Sequence, residues 1–127
     1  MLRTLVVEDN TGFRESLIAL LGGHFGSMVF ERASSSEEAL KKLQKFSPQL
    51  AFVDIHLPGQ NGLQLSKTLR SKYKNAVIVI LTNHDGPEYR QAANQCGADF
   101  FFSKGVSSVD DILGFVNTIV TGSVLHH

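Results

Sequence analysis

Acidic and polar residues stand directly after several short apolar runs, and together they could perform phosphoryl transfer. The residues are Glu8, Asp9, Asp54, Thr82 and Lys104. Three carboxylates brought to one point repel each other, on the order of 4 kcal/mol per pair at about 4 Å. Such a site needs either protonated acids or a cation, and ligands that are all oxygen favour Mg²⁺ over Zn²⁺. Lysine, hydroxyl and metal around a carboxylate would stabilise a phosphoryl group, and the carboxylate could be the nucleophile.

Each of these residues also has a simpler interpretation. Asp9 or Asn10 could cap the first helix, and Thr82 could cap a later one. Lys104 could be solvated, as most lysines are. Asp54 is harder to explain in this way, because it ends an apolar run and is followed by Ile55, so no helix begins there. A buried acid without partners is costly. All the simple interpretations together are less plausible than one shared site.

Five apolar runs predict the strands that would position these residues. Their continuous apolar character is typical of parallel strands buried on both faces. The predicted strands are Leu2–Val7, 28–30, 49–54, 76–81 and 100–102.

Helical signals occupy the stretches between these runs. The first predicted helix ends at Gly22–Gly23, the second begins with a capping box at Ser35, and the third contains Leu65 and Leu69. The fourth runs from Pro87 to Gly97 and the fifth from a cap at Ser108 to Val120. Strands and helices that alternate in this way predict an α/β sandwich with a parallel sheet. The polar residues would then meet at the carboxyl edge of the sheet.

Composition narrows the class of protein. The 127 residues fit one domain. Because 12 basic residues balance 12 acidic ones, there is no net positive charge to attract nucleic acid or an anionic membrane. The lone cysteine excludes an internal disulfide and suits the cytoplasm. No signal peptide is recognisable, and the longest apolar run is too short to span a membrane. We expect one domain over residues 1–122, and a tail over 123–127 that could be a tag remnant.

The ordered polar set resembles the receiver domain of two-component response regulators. The resemblance covers residues 2–122 and depends on four segments. These are LVVEDN at 5–10, FVDIHLPGQNG at 52–62, ILT at 80–82 and GADFFFSK at 97–104. It implies a flavodoxin-like, doubly wound (βα)5 three-layer sandwich with the parallel strand order 2-1-3-4-5.

The same resemblance implies a role for each residue of the site. Asp54 would be the phosphoacceptor. Asp9 would bind Mg²⁺ directly, Glu8 would bind it through water, and Asp54 and the backbone carbonyl of His56 would be further ligands. Mn²⁺ could replace Mg²⁺. The donor would be the phosphohistidine of a sensor histidine kinase or phosphotransfer protein.

The switch is implied by resemblance as well. Thr82 would hydrogen-bond one phosphoryl oxygen, Lys104 would pair with another, and Phe101 would turn inward as Thr82 moves. The surface of the fourth helix, fifth strand and fifth helix would then change and drive an output. Such a domain catalyses only its own phosphorylation and dephosphorylation, so it is not a turnover enzyme in the usual sense.

Gly105 departs from the family pattern, in which proline often follows the lysine. The absence of that proline is common in the branch whose receivers precede a LuxR/NarL-type DNA-binding domain. We therefore expect a DNA-binding domain, linked to this one but missing from the chain, and transcription as the output. A homodimer could form on phosphorylation. A stand-alone receiver that acts by protein–protein contact is the alternative.

His56 and His84 each lie two residues after a predicted site residue, at positions that in this family flank the pocket. They could simply be exposed loop histidines. Alternatively, they alter water access and charge beside the acyl phosphate and make its lifetime depend on pH near neutrality.

Three other functions compete. A true phosphatase would need a further acid or base for turnover, and the sequence offers none nearby. A degenerate, interaction-only receiver would not retain the complete set of acids, Thr82 and Lys104. A flavin or nucleotide binder would want a phosphate-binding loop after the first strand, where Glu8 and Asp9 would repel a phosphate.

Overall fold

A computed structural model describes residues 1–122, and the predicted tail, 123–127, lies outside the described residues. Strands and helices alternate along the described chain. They are β1 (Leu2–Val7), α1 (Thr11–His24), β2 (Met28–Ala33), α2 (Ser36–Lys42), β3 (Leu50–Val53), α3 (Gly62–Lys72), β4 (Val77–Thr82), α4 (Pro87–Gln95), β5 (Phe100–Ser103) and α5 (Val109–Val120).

The five strands form one parallel sheet in the order β2-β1-β3-β4-β5. This order confirms the flavodoxin-like fold. In the register of the sheet, Val53 pairs with Val7 on one side and with Ile80 on the other. The last residues of β1 and β3 are therefore neighbours, and β4 ends beside them.

Two apolar layers cover the sheet because side chains along a strand alternate between its faces. Val7, Val53 and Ile80 pack on the face covered by α2, α3 and α4. Val6 and Phe52 pack on the opposite face, against α1 and α5. The central strands are buried on both faces, which explains their continuous apolar sequences.

The second strand is longer than predicted. It runs to Ala33, so Glu31 and Arg32 lie inside the strand. Their charges are paired from neighbouring helices: Lys42 lies 3.0 Å from Glu31, and Glu15 lies 2.9 Å from Arg32. The sequence could not show this, because polar residues in a strand near the sheet edge look like a loop.

The prediction that the first helix ends at Gly22–Gly23 is wrong. The helix continues to His24, and the Phe25 N–H closes its last turn on the carbonyl of Leu21 at 2.8 Å. Glycine ends a helix when it takes a positive φ, and neither of these glycines does. Their sequence signal was therefore misleading.

The predicted caps are mostly confirmed. Ser108 and Asp111 form a reciprocal capping box at the start of α5. Pro87 opens α4, and Gly97, with φ +91°, follows its end. Ser35 Oγ caps α2 by accepting the N–H of Glu38, but the predicted capping box does not close, because the Glu38 side chain accepts the N–H of Ser34 instead.

Candidate functional site

The predicted site lies at the carboxyl edge of the sheet, and backbone hydrogen bonds hold its residues there. The N–H of Glu8 donates to the carbonyl of Ala33 at 2.9 Å, and the N–H of Asp54 donates to that of Val7 at 3.1 Å. The N–H of Lys104 donates to the carbonyl of Thr82 at 2.9 Å. Each residue thus extends the strand ladder by one step, so its side chain projects from a rigid edge.

Lys104 joins two of the carboxylates. Its Nζ lies 2.5 Å from Glu8 Oε1 and 3.1 Å from Asp54 Oδ2. All three side chains are almost completely buried, with exposed fractions of 4% for Glu8, 9% for Asp54 and 10% for Lys104. The simpler interpretation of Lys104 as a solvated lysine is therefore wrong.

The Lys104 ammonium does not fully offset the burial of the Glu8 carboxylate. Burial raises the pKa of Glu8, and the charge of Asp54 raises it further, against the opposing hydrogen bonds from Lys104 and the Asn10 N–H. Burial alone would lower the pKa of Lys104, but its hydrogen bonds to Glu8 and Asp54 outweigh burial and raise it. Lys104 remains charged at neutral pH, and a second cation at this edge would be favourable.

The carboxylates fit such a cation. Glu8, Asp9 and Asp54 each offer an oxygen atom, and these atoms lie within 4.8 Å of one another. Asp9 is exposed and could be reached from solvent. Oxygen ligands at this spacing, together with water, suit a hard ion such as Mg²⁺. His56, whose carbonyl is the predicted backbone ligand, is held nearby, since its N–H donates to Asp54 Oδ1 at 3.3 Å.

Thr82 and the two histidines lie beside the carboxylates. Thr82 is fully buried, and its Oγ1 accepts the N–H of His84 at 3.2 Å. The rings of His56 and His84 stack with their centroids 4.6 Å apart, and Tyr89 lies next to His84 at 5.3 Å. His56 is exposed, but His84 is only half-exposed. The histidines therefore form a contacting pair rather than two independent loop side chains.

Phe101 lies on the α4 side of the sheet. Its ring is half-buried and packs against the layer that includes Ala93 and Tyr89. The Arg90 guanidinium covers the ring at 4.6 Å from its centroid. Thr82 does not cap α4, because Gly86 occupies that position.

Arg14 supports the site through the backbone of Glu8 and was not among the residues predicted from the sequence. It is buried, and its Nη1 donates to the Glu8 carbonyl and to Ser34 Oγ, both at 2.9 Å. It shares the buried face of α1 with Leu17 and Leu21. A basic residue at an apolar position of a helix is the signal that could have found it.

Gly62 and Asn10 also shape the site. A Cβ on Gly62 would lie 1.9 Å from the carbonyl oxygen of Asp54, so only glycine fits there. Asn10 Oδ1 accepts the N–H of Phe13 at 3.0 Å and caps α1. Of the two possible caps before α1, Asn10 is the one that forms, whereas Asp9 joins the carboxylate cluster.

The family model described as the response regulator receiver domain matches residues 4–116. The chain belongs to the receiver domain family. The GacA response regulator of Pseudomonas viridiflava is 30% identical over 83% of this receiver domain and 49% of that protein. The YvfU transcriptional regulatory protein of Bacillus subtilis is 29% identical over 96% of this chain and 60% of its own length.

Solved receiver structures share the fold. The receiver domain of the putative response regulator NarL from Mycobacterium tuberculosis has a TM-score of 0.80 and 28% identity, over 95% of this chain and 97% of that one. This receiver domain spans about half the length of the curated relatives it matches, which are longer regulators. Over the described residues, every helix is too short or too polar to span a membrane.

Proposed function

We propose that Asp54 accepts a phosphoryl group from the phosphohistidine of a sensor histidine kinase or phosphotransfer protein, and that the domain switches in response. The observation that carries this proposal is the cluster of Glu8, Asp9 and Asp54 with Lys104 bonded to two of its carboxylates. A nucleophile, a charge-stabilising lysine and ligands for a hard cation meet there. No other described group of residues combines the three.

The chemistry is a transfer between two nucleophiles. An oxygen of the Asp54 carboxylate attacks phosphorus in line with the leaving ring nitrogen, and the P–N bond of the donor breaks. The electron pair of that bond stays on the imidazole, which leaves as the neutral ring when its other nitrogen carries a proton. The new acyl phosphate holds more charge than the carboxylate did. Lys104 and the hydroxyl of Thr82 would bind its oxygens.

Glu8, Asp9, Asp54 and the carbonyl of His56 would hold Mg²⁺, and Mn²⁺ could substitute. The ion would supply charge neutralisation at the phosphoryl oxygens. Without phosphate, Lys104 bonds to the carboxylates themselves. With phosphate on Asp54, the ammonium moves to a phosphoryl oxygen, and Glu8 becomes available to the ion.

The switch would pass through Thr82 and Phe101 to the surface formed by α4, β5 and α5. Thr82 already holds the β4–α4 loop through the His84 N–H, so its movement toward a phosphate would release that loop. In the longer protein, which would reside in the cytoplasm, we expect the output to be transcription through a linked DNA-binding domain. The domain itself would be a phosphorylated switch rather than a turnover enzyme.

The stacked ring pair of His56 and His84 would set how long the phosphate survives. Two rings in contact, one of them on the residue whose N–H donates to Asp54 Oδ1, would limit the approach of an attacking water to Asp54. Replacing His84 with alanine removes one ring, and we expect dephosphorylation to become about two- to tenfold faster. Decay of the phosphorylated protein, followed by intact mass at several neutral pH values, would measure this, and an unchanged rate would contradict it.

Amide NMR with Mg²⁺ and beryllofluoride, which mimics the acyl phosphate, would test the proposed function. We expect shifts at Asp54, Thr82, Phe101 and α4 that require both additions and vanish in Asp54→Asn. Phosphoramidate, a small donor, should add one phosphoryl group to the wild type and none to Asp54→Asn. If the wild type gave neither result, the interaction-only alternative would replace the proposal.

A further inference from the structure

The Lys104 ammonium has a third neighbour besides its two carboxylates. Its Nζ lies 4.2 Å from the centroid of the Phe13 ring. An ammonium carries three N–H groups, and Glu8 and Asp54 account for two of them. The Phe13 ring therefore lies on a side of the ammonium from which water would otherwise bind.

The backbone of Phe13 is held by the same turn that binds the Glu8 carboxylate. Its N–H donates to the cap Asn10 at 3.0 Å, and the N–H of Asn10 donates to Glu8 Oε2, also at 3.0 Å. The half-buried ring packs against the α1–α5 layer of the core. Together with Glu8, Asp54 and Phe52 it lines a small cavity under the carboxylates. The ring is thus packed between the core and the Lys104 ammonium.

We propose that Phe13 is a positioning residue whose ring holds the Lys104 ammonium beside the incoming phosphoryl group. The attraction comes from the electron-rich face of the ring and requires no hydrogen-bond acceptor. It can therefore persist while the ammonium exchanges a carboxylate oxygen for a phosphoryl oxygen. This role rests on the proposed phosphorylation of Asp54.

The contact has a spectroscopic signature that does not depend on phosphorylation. Protons over an aromatic ring are shifted upfield, so the ε-methylene protons of Lys104 should differ from those of exposed lysines such as Lys67. We expect Phe13→Leu, which keeps an apolar side chain, to remove the difference and Phe13→Tyr to keep it. An ordinary Lys104 shift in the wild type would overturn the proposal.

A double-mutant cycle tests the role in the reaction. With phosphoramidate and Mg²⁺, we expect Phe13→Leu to slow phosphorylation about two- to fivefold, in keeping with the strength of such contacts. Phe13→Tyr, which keeps an aromatic ring, should be phosphorylated at the wild-type rate. In a Lys104→Met background, Phe13→Leu should have no further effect, because it acts through the ammonium.

The outcomes separate this role from the proposed function. An equal effect of Phe13→Leu in both backgrounds would mean a merely structural role and would overturn the proposal. If the wild type were not phosphorylated at all, the proposed function would fail and this role with it. Thermal unfolding of each variant, compared with the wild type, identifies any loss of rate that reflects unfolding.

Discussion

Gly62 lies so close to the backbone of Asp54 that no side chain fits at its position. A Cβ there would lie 1.9 Å from the carbonyl oxygen of Asp54 and 2.7 Å from its carbonyl carbon. Both atoms belong to the backbone beside the nucleophile and cannot rotate away. We expect Gly62→Ala to lower the free energy of unfolding by about 2–3 kcal/mol and to slow phosphorylation, as measured by denaturant unfolding and phosphoramidate assays.

Gly114 provides the matched control. It lies in the middle of α5, and a Cβ would meet nothing within 4 Å. Alanine should therefore stabilise the protein by about 0.5–1 kcal/mol through the lower entropy of its unfolded chain. Equal effects at the two glycines would mean that close packing at Asp54 is not what selects Gly62.

Asp9 belongs to the carboxylate cluster but is exposed. Its substitution can therefore distinguish repulsion among the carboxylates from binding of a metal ion. Asp9→Asn removes one of three like charges, so without a divalent ion it should stabilise the fold by at most about 0.5 kcal/mol. A divalent ion at a free concentration of 100 times its Kd would stabilise the wild type by about 2.7 kcal/mol. We expect most of that gain to be lost in Asp9→Asn.

Thermal unfolding with and without Mg²⁺ would measure the gain, with Asp110→Asn as the control because Asp110 lies in the first turn of α5. The control should keep the full stabilisation by Mg²⁺. If Asp9→Asn kept it too, Asp9 would not be a ligand.

The sequence predicted the residues of the site better than it predicted their supports. Lys104 and Asp54 could be found because each follows its own strand, and strand ends meet at one edge of a parallel sheet. Arg14 and Phe13 could not, because they lie within a helix whose rotation about its axis decides what each side chain contacts. The helical pattern shows which face is apolar, but not that Phe13 reaches Lys104.

At the scale of elements, a short network holds the β4–α4 loop against β5. The buried hydroxyl of Ser103 donates to Asp85 Oδ2 at 2.6 Å. The backbone carbonyl of Asp85 accepts a hydrogen bond from Arg90 Nε at 3.3 Å, and the Arg90 guanidinium covers the ring of Phe101. The loop, the start of α4 and the aromatic residue on β5 are therefore linked.

We expect Ser103→Ala to release this loop. The substitution removes one hydrogen bond to a carboxylate, which is worth about 1–2 kcal/mol. Amide hydrogen exchange over residues 83–90 should accelerate by roughly tenfold. Asp85→Asn keeps an acceptor oxygen and should change little, whereas Asp85→Ala should match Ser103→Ala and add nothing to it. Unchanged exchange in Ser103→Ala would mean that other contacts hold the loop.

Elements buried on both faces were the easiest to predict, because burial leaves only apolar residues and the run is continuous. β3 and β4 are of this kind, and their bounds are within one residue of the prediction. β2 has a single neighbour, β1, so it tolerates the charged pair Glu31 and Arg32 and its length was underestimated. The predicted end of α1 was wrong because a glycine can keep helical dihedral angles when the hydrogen bond of its turn forms.

At the scale of the whole molecule, the exposed apolar side chains are concentrated on one side. Apart from Met1, the large exposed ones among residues 1–122 belong to β5, α5 and the loop between them. They are Phe100, Val106, Val109 and Val120. β5 is also an edge strand, with hydrogen-bonding groups not used by β4. This surface adjoins Phe101 and Lys104, so a change at the pocket can reach it directly.

Such a surface would favour self-association once the switch has moved. We expect light scattering after size exclusion to show a monomer without additions and a dimer with Mg²⁺ and beryllofluoride. A stable dimer of ordinary size buries about 800 Å² on each partner, which needs more than the exposed apolar side chains alone. Hence the rearrangement of α4 and β5 should be required, and Asp54→Asn should remain monomeric.

Phe100→Ser tests whether this surface is the interface. Phe100 is 38% exposed, and its ring packs against that of Phe115 with the centroids 4.3 Å apart. The variant should still show the beryllofluoride-dependent NMR shift of Thr82 but should stay monomeric. A dimer that survives Phe100→Ser would place the interface elsewhere. A wild type that stays monomeric while Thr82 shifts would mean that the surface serves a linked domain or another protein, because the switch would then operate without a second copy of the chain.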